Sequence, residues 1–301
     1  MKKSGIIALL LAVAVAAAAI AGFLLSKPTP ANITRKTIKS LGKVTSFKSD
    51  VKMDYDGTVS VMGIEADFTL RGDFDQEAAV DTGVSHLKGS VGTKLPLIGD
   101  VSLPVESYQQ VESSGITVYS SMDGTKWAKA YQENAESEND DQWKDLKMVM
   151  GILHLISSGE IKAELAQETE MIGEKEAYRM DITISGEFMM QLLKEVAQAQ
   201  GDAADIPQDL DLTGADAEVV LYILKKEKLP ARITIDCTAL GNILTNKYIN
   251  NDTISAKAQK FLITVDAIEY NTVNGLQIPE EVKASAVETE DSPTMGDYVG
   301  L

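Results

Sequence analysis

From Val44 onward the chain alternates apolar and polar residues in run after run, a period of two that strongly favours a sheet. Val51, Met53 and Tyr55 interleave with Lys52, Asp54 and Asp56, and Ala66, Phe68 and Leu70 with Asp67, Thr69 and Arg71. Successive side chains of a strand point to opposite faces, so each run has one face to bury and one to wet. Asp56-Gly57, Asp123-Gly124 and Gly173-Glu174 each stand between two such runs. Asp-Gly suits a two-residue hairpin turn, so neighbouring strands are expected to be antiparallel. The clearest hairpin joins Ile116–Ser120 to Lys126–Ala130. Further strands are expected over Ala163–Met171, Ala177–Ser185, Ala217–Leu224, Ala231–Thr238 and Lys260–Thr272. About ten long antiparallel strands in one domain must curl to bury a face.

Helical spacing interrupts this pattern. Pro30–Leu41 places Ile33, Thr37, Ile38 and Leu41 on one side; a second helix is expected over Asp140–Ile156, with Asn139 and Gln142 as a capping pair. A third runs over Glu187–Gln200 and a shorter one over Ala239–Tyr248. The expected fold class is therefore α+β, a strongly curved antiparallel half-barrel with three or four helices on its concave side. No Pro/Gly/Ser linker or fixed-period repeat divides residues 30–287, which read as one domain. Residues 288–301 read as a disordered acidic tail.

Residues 1–29 have a different character. Ile6–Leu25 is a run of 20 residues without a charge, preceded by Lys2 and Lys3. Such a run is long enough to span a bilayer core of ~30 Å and exceeds an ordinary signal-peptide core. It is expected to be a signal anchor or a cleaved signal peptide, and either puts the domain on the extracytoplasmic side. Lys27, Arg35, Lys36, Lys39 and Lys43 follow the run and, by charge counting alone, favour the opposite orientation. A short basic N-terminus ahead of an apolar run remains the commoner export arrangement.

Composition removes several function classes. With 45 acidic and 28 basic residues the chain carries a net charge of −17, which repels nucleic-acid backbones. A single cysteine, Cys237, excludes an intrachain disulfide. It shares a strand face with Ile233 and Ile235 and reads as a small buried hydrophobe. Two histidines, His86 and His154, make no metal cluster, and no nucleophile elbow, zinc-protease motif, P-loop or dinucleotide fingerprint occurs. Asp209–Gly214 imitates the first half of a calcium loop, but Val220 stands at the twelfth position where a bidentate Glu is required. The chain reads as a non-enzyme that needs neither cofactor nor metal.

Two helices are too apolar for surface helices. Leu146–Ile156 is apolar around most of its circumference, and Phe188–Leu193 repeats the theme. One face can pack on the sheet; the other either packs on a neighbouring helix or lines a cavity for an acyl chain. Methionine conforms well to irregular partners. The candidate cavity residues are Met148, Met150, Leu153, His154, Phe188, Met189, Leu192 and Leu193.

Several segments carry a resemblance: Ile38-Lys39-Ser40-Leu41 in the first helix, the Tyr119 to Trp127 hairpin, Gly173-Glu174-Lys175-Glu176-Ala177-Tyr178, and Leu276-Gln277-Ile278-Pro279-Glu280-Glu281-Val282 near the end. Together they resemble the LolA/LppX-like superfamily of exported lipoprotein- and lipid-carrier domains, especially its uncharacterised Gram-positive members. The resemblance implies a curved half-barrel closed by helices over a hydrophobic cavity, which accepts acyl chains in characterised relatives. Many such relatives carry a lipobox cysteine. Here Ile20-Ala21-Gly22 is followed by Phe23, so that anchor cannot form and a transmembrane anchor would replace it. The expected function is a membrane-anchored protein binding a lipid or lipidated polypeptide. The alternative is a cell-envelope interaction or sensing module with a filled core and an envelope protein as partner.

Overall fold

A computed structural model describes residues 28–95, 99–112, 114–133, 144–191, 210–248, 250 and 253–288. The strands are β1 (Ser46–Val61), β2 (Ile64–Ala79), β3 (Val84–Leu95), β4 (Gly99–Glu112), β5 (Gly115–Ser121), β6 (Ala128–Glu133), β7 (Ala163–Leu165), β8 (Glu170–Ile172), β9 (Lys175–Ile184), β10 (Ala217–Leu224), β11 (Pro230–Asp236), β12 (Ile254–Tyr270) and β13 (Val287–Glu288). The helices are α1 (Pro30–Leu41), α2 (Lys144–Ser158), α3 (Thr238–Tyr248) and α4 (Glu280–Ser285), with a further helical segment at 186–191.

Among the described residues thirteen strands, rather than about ten, form one open curved sheet in the order β13-β6-β5-β4-β3-β2-β1-β12-β11-β10-β9-β7, with β8 paired to β9. Among the strand pairs of the described residues only β13–β6 is parallel. The sheet has two halves. β1–β6 form a meander, β7–β11 lie on the other side, and the two longest-range partners, β1 and β12, join them along the seam from Phe47↔Tyr270 to Val61↔Ile254.

Directly opposed residues share a face, which gives the sheet two chemically distinct sides. The row Met180, Leu221, Ile233, Val265, Val51, Phe74, Gly89 and Val105 runs across the inner face. The outer face carries Asp54, Arg71, Lys260, Arg232 and Asp266, linked by ion pairs: Arg71 with Asp54 (3.2 Å) and Asp56, Lys260 with Asp54 (3.5 Å), and Arg232 with Asp266 (2.6 Å).

α1 forms where its sequence pattern places it. Thr29 Oγ1 accepts the Asn32 N–H (3.2 Å), Pro30 occupies the first turn, and Gly42 closes the last turn by donating to the Ile38 carbonyl. Its buried side contains Ile33, Thr34, Thr37 and Leu41. The Thr37 hydroxyl is satisfied by the Ile33 carbonyl (3.0 Å) and that of Thr34 by the Pro30 carbonyl (2.9 Å). α1 and α2 pack on the inner face over β7, β9 and β10.

Three expectations are corrected. Asp56-Gly57 is not a turn: Gly57 lies within β1 opposite Phe68, and the hairpin closes at Met62-Gly63. Ala163–Met171 is not one strand, because β7 and β8 are separate strands that both pair with β9. The helices do not all share one side. α4 packs through Val282, with Ile278, on Val84, Tyr108, Tyr119 and Trp127, whose positions in the ladder belong to the outer face. The capping pair Asn139 and Gln142, most of the expected third helix, the tail from 289 and the run Ile6–Leu25 lie outside the described residues. Among the described residues no helix is long and apolar enough to cross a membrane.

Candidate functional site

Among the described residues the inner face is closely packed at one end and only partly buried at the other. Under α1 and α2, Met180, Ile182, Leu221 and Ile223 of the sheet and Leu153 and Ile156 of α2 are buried, with Met180 and Ile223 fully so. That end is an ordinary close-packed core. Across the seam the same face continues through Val51, Met53 and Tyr55 of β1, Phe68, Leu70 and Phe74 of β2, Val91 of β3, Leu103 and Val105 of β4, and Phe261, Ile263 and Val265 of β12. All are only partly buried, and none belongs to either buried cluster. An apolar trough so constituted among the described residues is the candidate site.

Glycines shape its floor. The Tyr55 ring stacks on Phe68 with centroids 5.4 Å apart and meets Phe261 edge-on at 5.6 Å. Between these rings, a Cβ on Gly57 would approach ring carbons of both Phe68 and Tyr55 to 2.9 Å. Gly57 is thus a site of close approach, which explains why an Asp-Gly pair here marks no turn. A Cβ on Gly89 would lie 2.0 Å from the Asp73 carbonyl oxygen, so β2 and β3 need a glycine to come together at this point.

α3 borders the trough. β12 pairs with β11 only from Asp236↔Leu262 to Ile233↔Val265, and a register shift sits between its pairs Lys260 and Ala258 with β1. α3 takes over where β11 ends. Thr238 Oγ1 accepts the Phe261 N–H (2.9 Å), and Asn242 accepts from the Ala258 N–H (3.0 Å) while donating to the Ala258 carbonyl (3.0 Å). One side-chain amide thereby replaces a missing strand partner. Gly241 lets the helix lie 3.3 to 3.7 Å, measured from an added Cβ, from Ala258, Phe261 and Tyr55. Cys237, just before α3, is buried, and burial first, then the Asp236 carboxylate, pushes its thiol up. It is the small hydrophobe its strand position implied.

The residues singled out in the sequence fall in several places. Leu153 is buried in the core, and Met150, Phe188 and Met189 are partly buried and packed against it. His154 is exposed. The side chain of Met148, and Leu192 and Leu193 altogether, lie outside the described residues. The sheet's contribution, above all Tyr55, Phe68 and Phe261, was not among them. Its signal was present in the alternation of β1 and β2, but alternation identifies a buried face without saying what covers it.

A cavity of about 470 Å³ lies elsewhere, on the outer side of the β1–β2 tip. It is lined by Thr58, Ser60, Glu65, Ser255 and Lys257 of the sheet and by Asn242, Asn246 and Asn250 at or beyond α3. Most of these side chains are polar, and Ala256 adds an apolar patch to the lining. No group of three or more metal-ligating side chains occurs among the described residues.

No curated protein matches the chain. Crystal structures similar to it include LprF from Mycobacterium bovis, with 12% identity over 85% of this chain and 98% of that one at a TM-score of 0.41. The Mycobacterium tuberculosis lipoprotein LppX has 15% identity over 84% and 100% at a TM-score of 0.38. A LolA superfamily protein from Nitrosomonas europaea has 9% identity over 85% and 97% at a TM-score of 0.22. The family model that covers residues 29–287 places the chain in DUF6612, a family of unknown function, and the chain belongs to that family.

Proposed function

We propose that the protein is a non-enzymatic, extracytoplasmic lipid-binding protein, held at the membrane by Ile6–Leu25, that accommodates an acyl chain or lipidated polypeptide in the inner-face trough. The observation carrying this reading is the row of large apolar side chains, Tyr55, Phe68, Leu70, Phe74 and Phe261 among them, left partly exposed beside a core that is fully closed. Each methylene withdrawn from water contributes about 0.8 kcal/mol. About twelve would supply roughly 10 kcal/mol against the loss of freedom on binding. In this reading Met150, Phe188 and Met189, which pack against the closed core, extend the apolar surface on the helical side, and Met148, Leu192 and Leu193 add to it by sequence alone.

The test is native mass spectrometry of residues 27–301 purified from a bacterial host. The expected result is a discrete adduct that is released as lipid on denaturation and lost in Phe68→Asp, a variant whose circular dichroism stays that of the parent. A clean apo mass for the parent would instead favour an envelope interaction module, the reading supported by the filled packing of Leu153 and Ile156 beneath α2.

A further inference from the structure

The β1–β2 hairpin ends in apolar side chains that the fold leaves uncovered. Met62 is 81% exposed, Ile64 75% and Val61 43%, and Val101 near the start of β4 is 38% exposed. The two turn residues, Met62 (φ 53°) and Gly63 (φ 82°), both adopt left-handed backbone conformations. Asn-Gly is the usual occupant of such a turn, and a bulky apolar residue is disfavoured there. Neither folding nor turn chemistry accounts for a methionine at this position.

The surroundings say what the tip fits. On the inner side, Val61 and Ile64 continue the row Val59↔Ala66, Gly57↔Phe68 and Tyr55↔Leu70, so the apolar trough extends to the tip without a polar break. On the outer side, the polar cavity begins one residue away at Ser60 and Glu65, a directly opposed pair, and contains Ser255 and Lys257. The Glu65 carboxylate and the Lys257 ammonium make no ion pair among the described residues. An apolar tip bordered by hydroxyls, amides and one free charge of each sign matches the layering of a zwitterionic phospholipid surface: acyl chains below, phosphate and ammonium at headgroup level.

We infer that the β1–β2 tip docks on a zwitterionic bilayer, with Val61, Met62 and Ile64 below the headgroups and the Glu65–Lys257 cavity among them. Docking in this pose opens the trough towards the acyl layer, but it does not require that the trough hold a ligand.

The experiment places a nitroxide on Met62→Cys in the full chain, reconstituted in phosphatidylcholine vesicles, and compares collision with oxygen and with a water-soluble nickel chelate. The same label on Glu174→Cys in the distant β8–β9 turn reports the aqueous value. The label at 62 is expected to favour oxygen at least threefold relative to that at 174. A second label on Thr253→Cys, whose carbonyl accepts the Met62 N–H, should also favour oxygen and return to the aqueous value in Met62→Asn/Ile64→Asn, a change that suits the turn. Equal aqueous accessibility at 62 and 174 overturns the inference, as does spin–spin broadening at 62 that marks a second copy as the occupant. A lipid adduct with an aqueous tip would leave the ligand reading standing and remove this one; an embedded tip with a clean apo mass would do the reverse.

Discussion

At the scale of single residues, Gly89 and Gly57 differ in what opposes them, and so should their substitutions. A methyl group at Gly89 meets the Asp73 carbonyl and the Phe74 Cα, both backbone, which cannot turn aside. Gly89→Ala is expected to destabilise by about 2–3 kcal/mol, read as a fall in the urea midpoint. At Gly57 the obstacles include the ring edges of Phe68 and Tyr55, which can rotate, so Gly57→Ala should cost roughly 1 kcal/mol. On the outer face, Glu106 accepts from His86 Nε2 (2.9 Å) and pairs with Lys88 (3.2 Å), and His86 stacks on Tyr108 at 4.2 Å. Burial alone would raise the Glu106 carboxyl, but the hydrogen bonds from His86 and Lys88 outweigh it and hold the group below its ordinary 4.5. A carboxyl lowered on folding adds stability that is complete above its unfolded value and disappears as pH falls through the folded one. Glu106→Gln should therefore lower the melting temperature at pH 7 while flattening its decline below about pH 4.5, seen in a pH series of thermal melts.

At the scale of elements, legibility depended on whether the determining contacts were local. α1 and β10 were readable to the residue: Thr29-Pro30 and Gly42 bracket the first, and the second is the short, almost wholly apolar run Ala217–Leu224. The β1–β2 turn was misplaced because Asp56-Gly57 carries the usual local signal, whereas its glycine answers to Phe68 across the sheet and to Lys257 from β12. The side taken by α4 was beyond local reading, since Val282 meets Val84 and Tyr108, far away in sequence. The same distinction holds for the site. Apolar helices announced themselves, but their composition did not separate Met150 and Leu153, which face the core, from the exposed His154: a helix greasy in composition still has an outer side. α3 offers the sharpest element-level test. Removing the Asn242 amide leaves the Ala258 N–H and carbonyl without their partner. Asn242→Leu should destabilise by about 2 kcal/mol and speed hydrogen exchange at the Ala258 amide.

At the scale of the molecule, a net charge of −17 sets a repulsion that the outer-face ion pairs only partly offset. Raising the salt from about 10 to about 150 mM shortens the screening length to ~8 Å. The melting temperature is expected to rise across that range, since self-repulsion outweighs the few surface pairs that salt also weakens. The order of the strands has a different consequence, one of timing. β1 is the first strand to be synthesised, yet one of its two neighbours is β12, so Phe47 waits for Tyr270. A chain emerging from its amino end builds the β1–β6 meander early, with the long free edge of β1 bare, and joins it to the second half only when β12 arrives. Contacts of such sequence separation make folding slow. A bare edge of that length is a template for unwanted pairing. The newborn protein is thus most vulnerable while it is nearly complete.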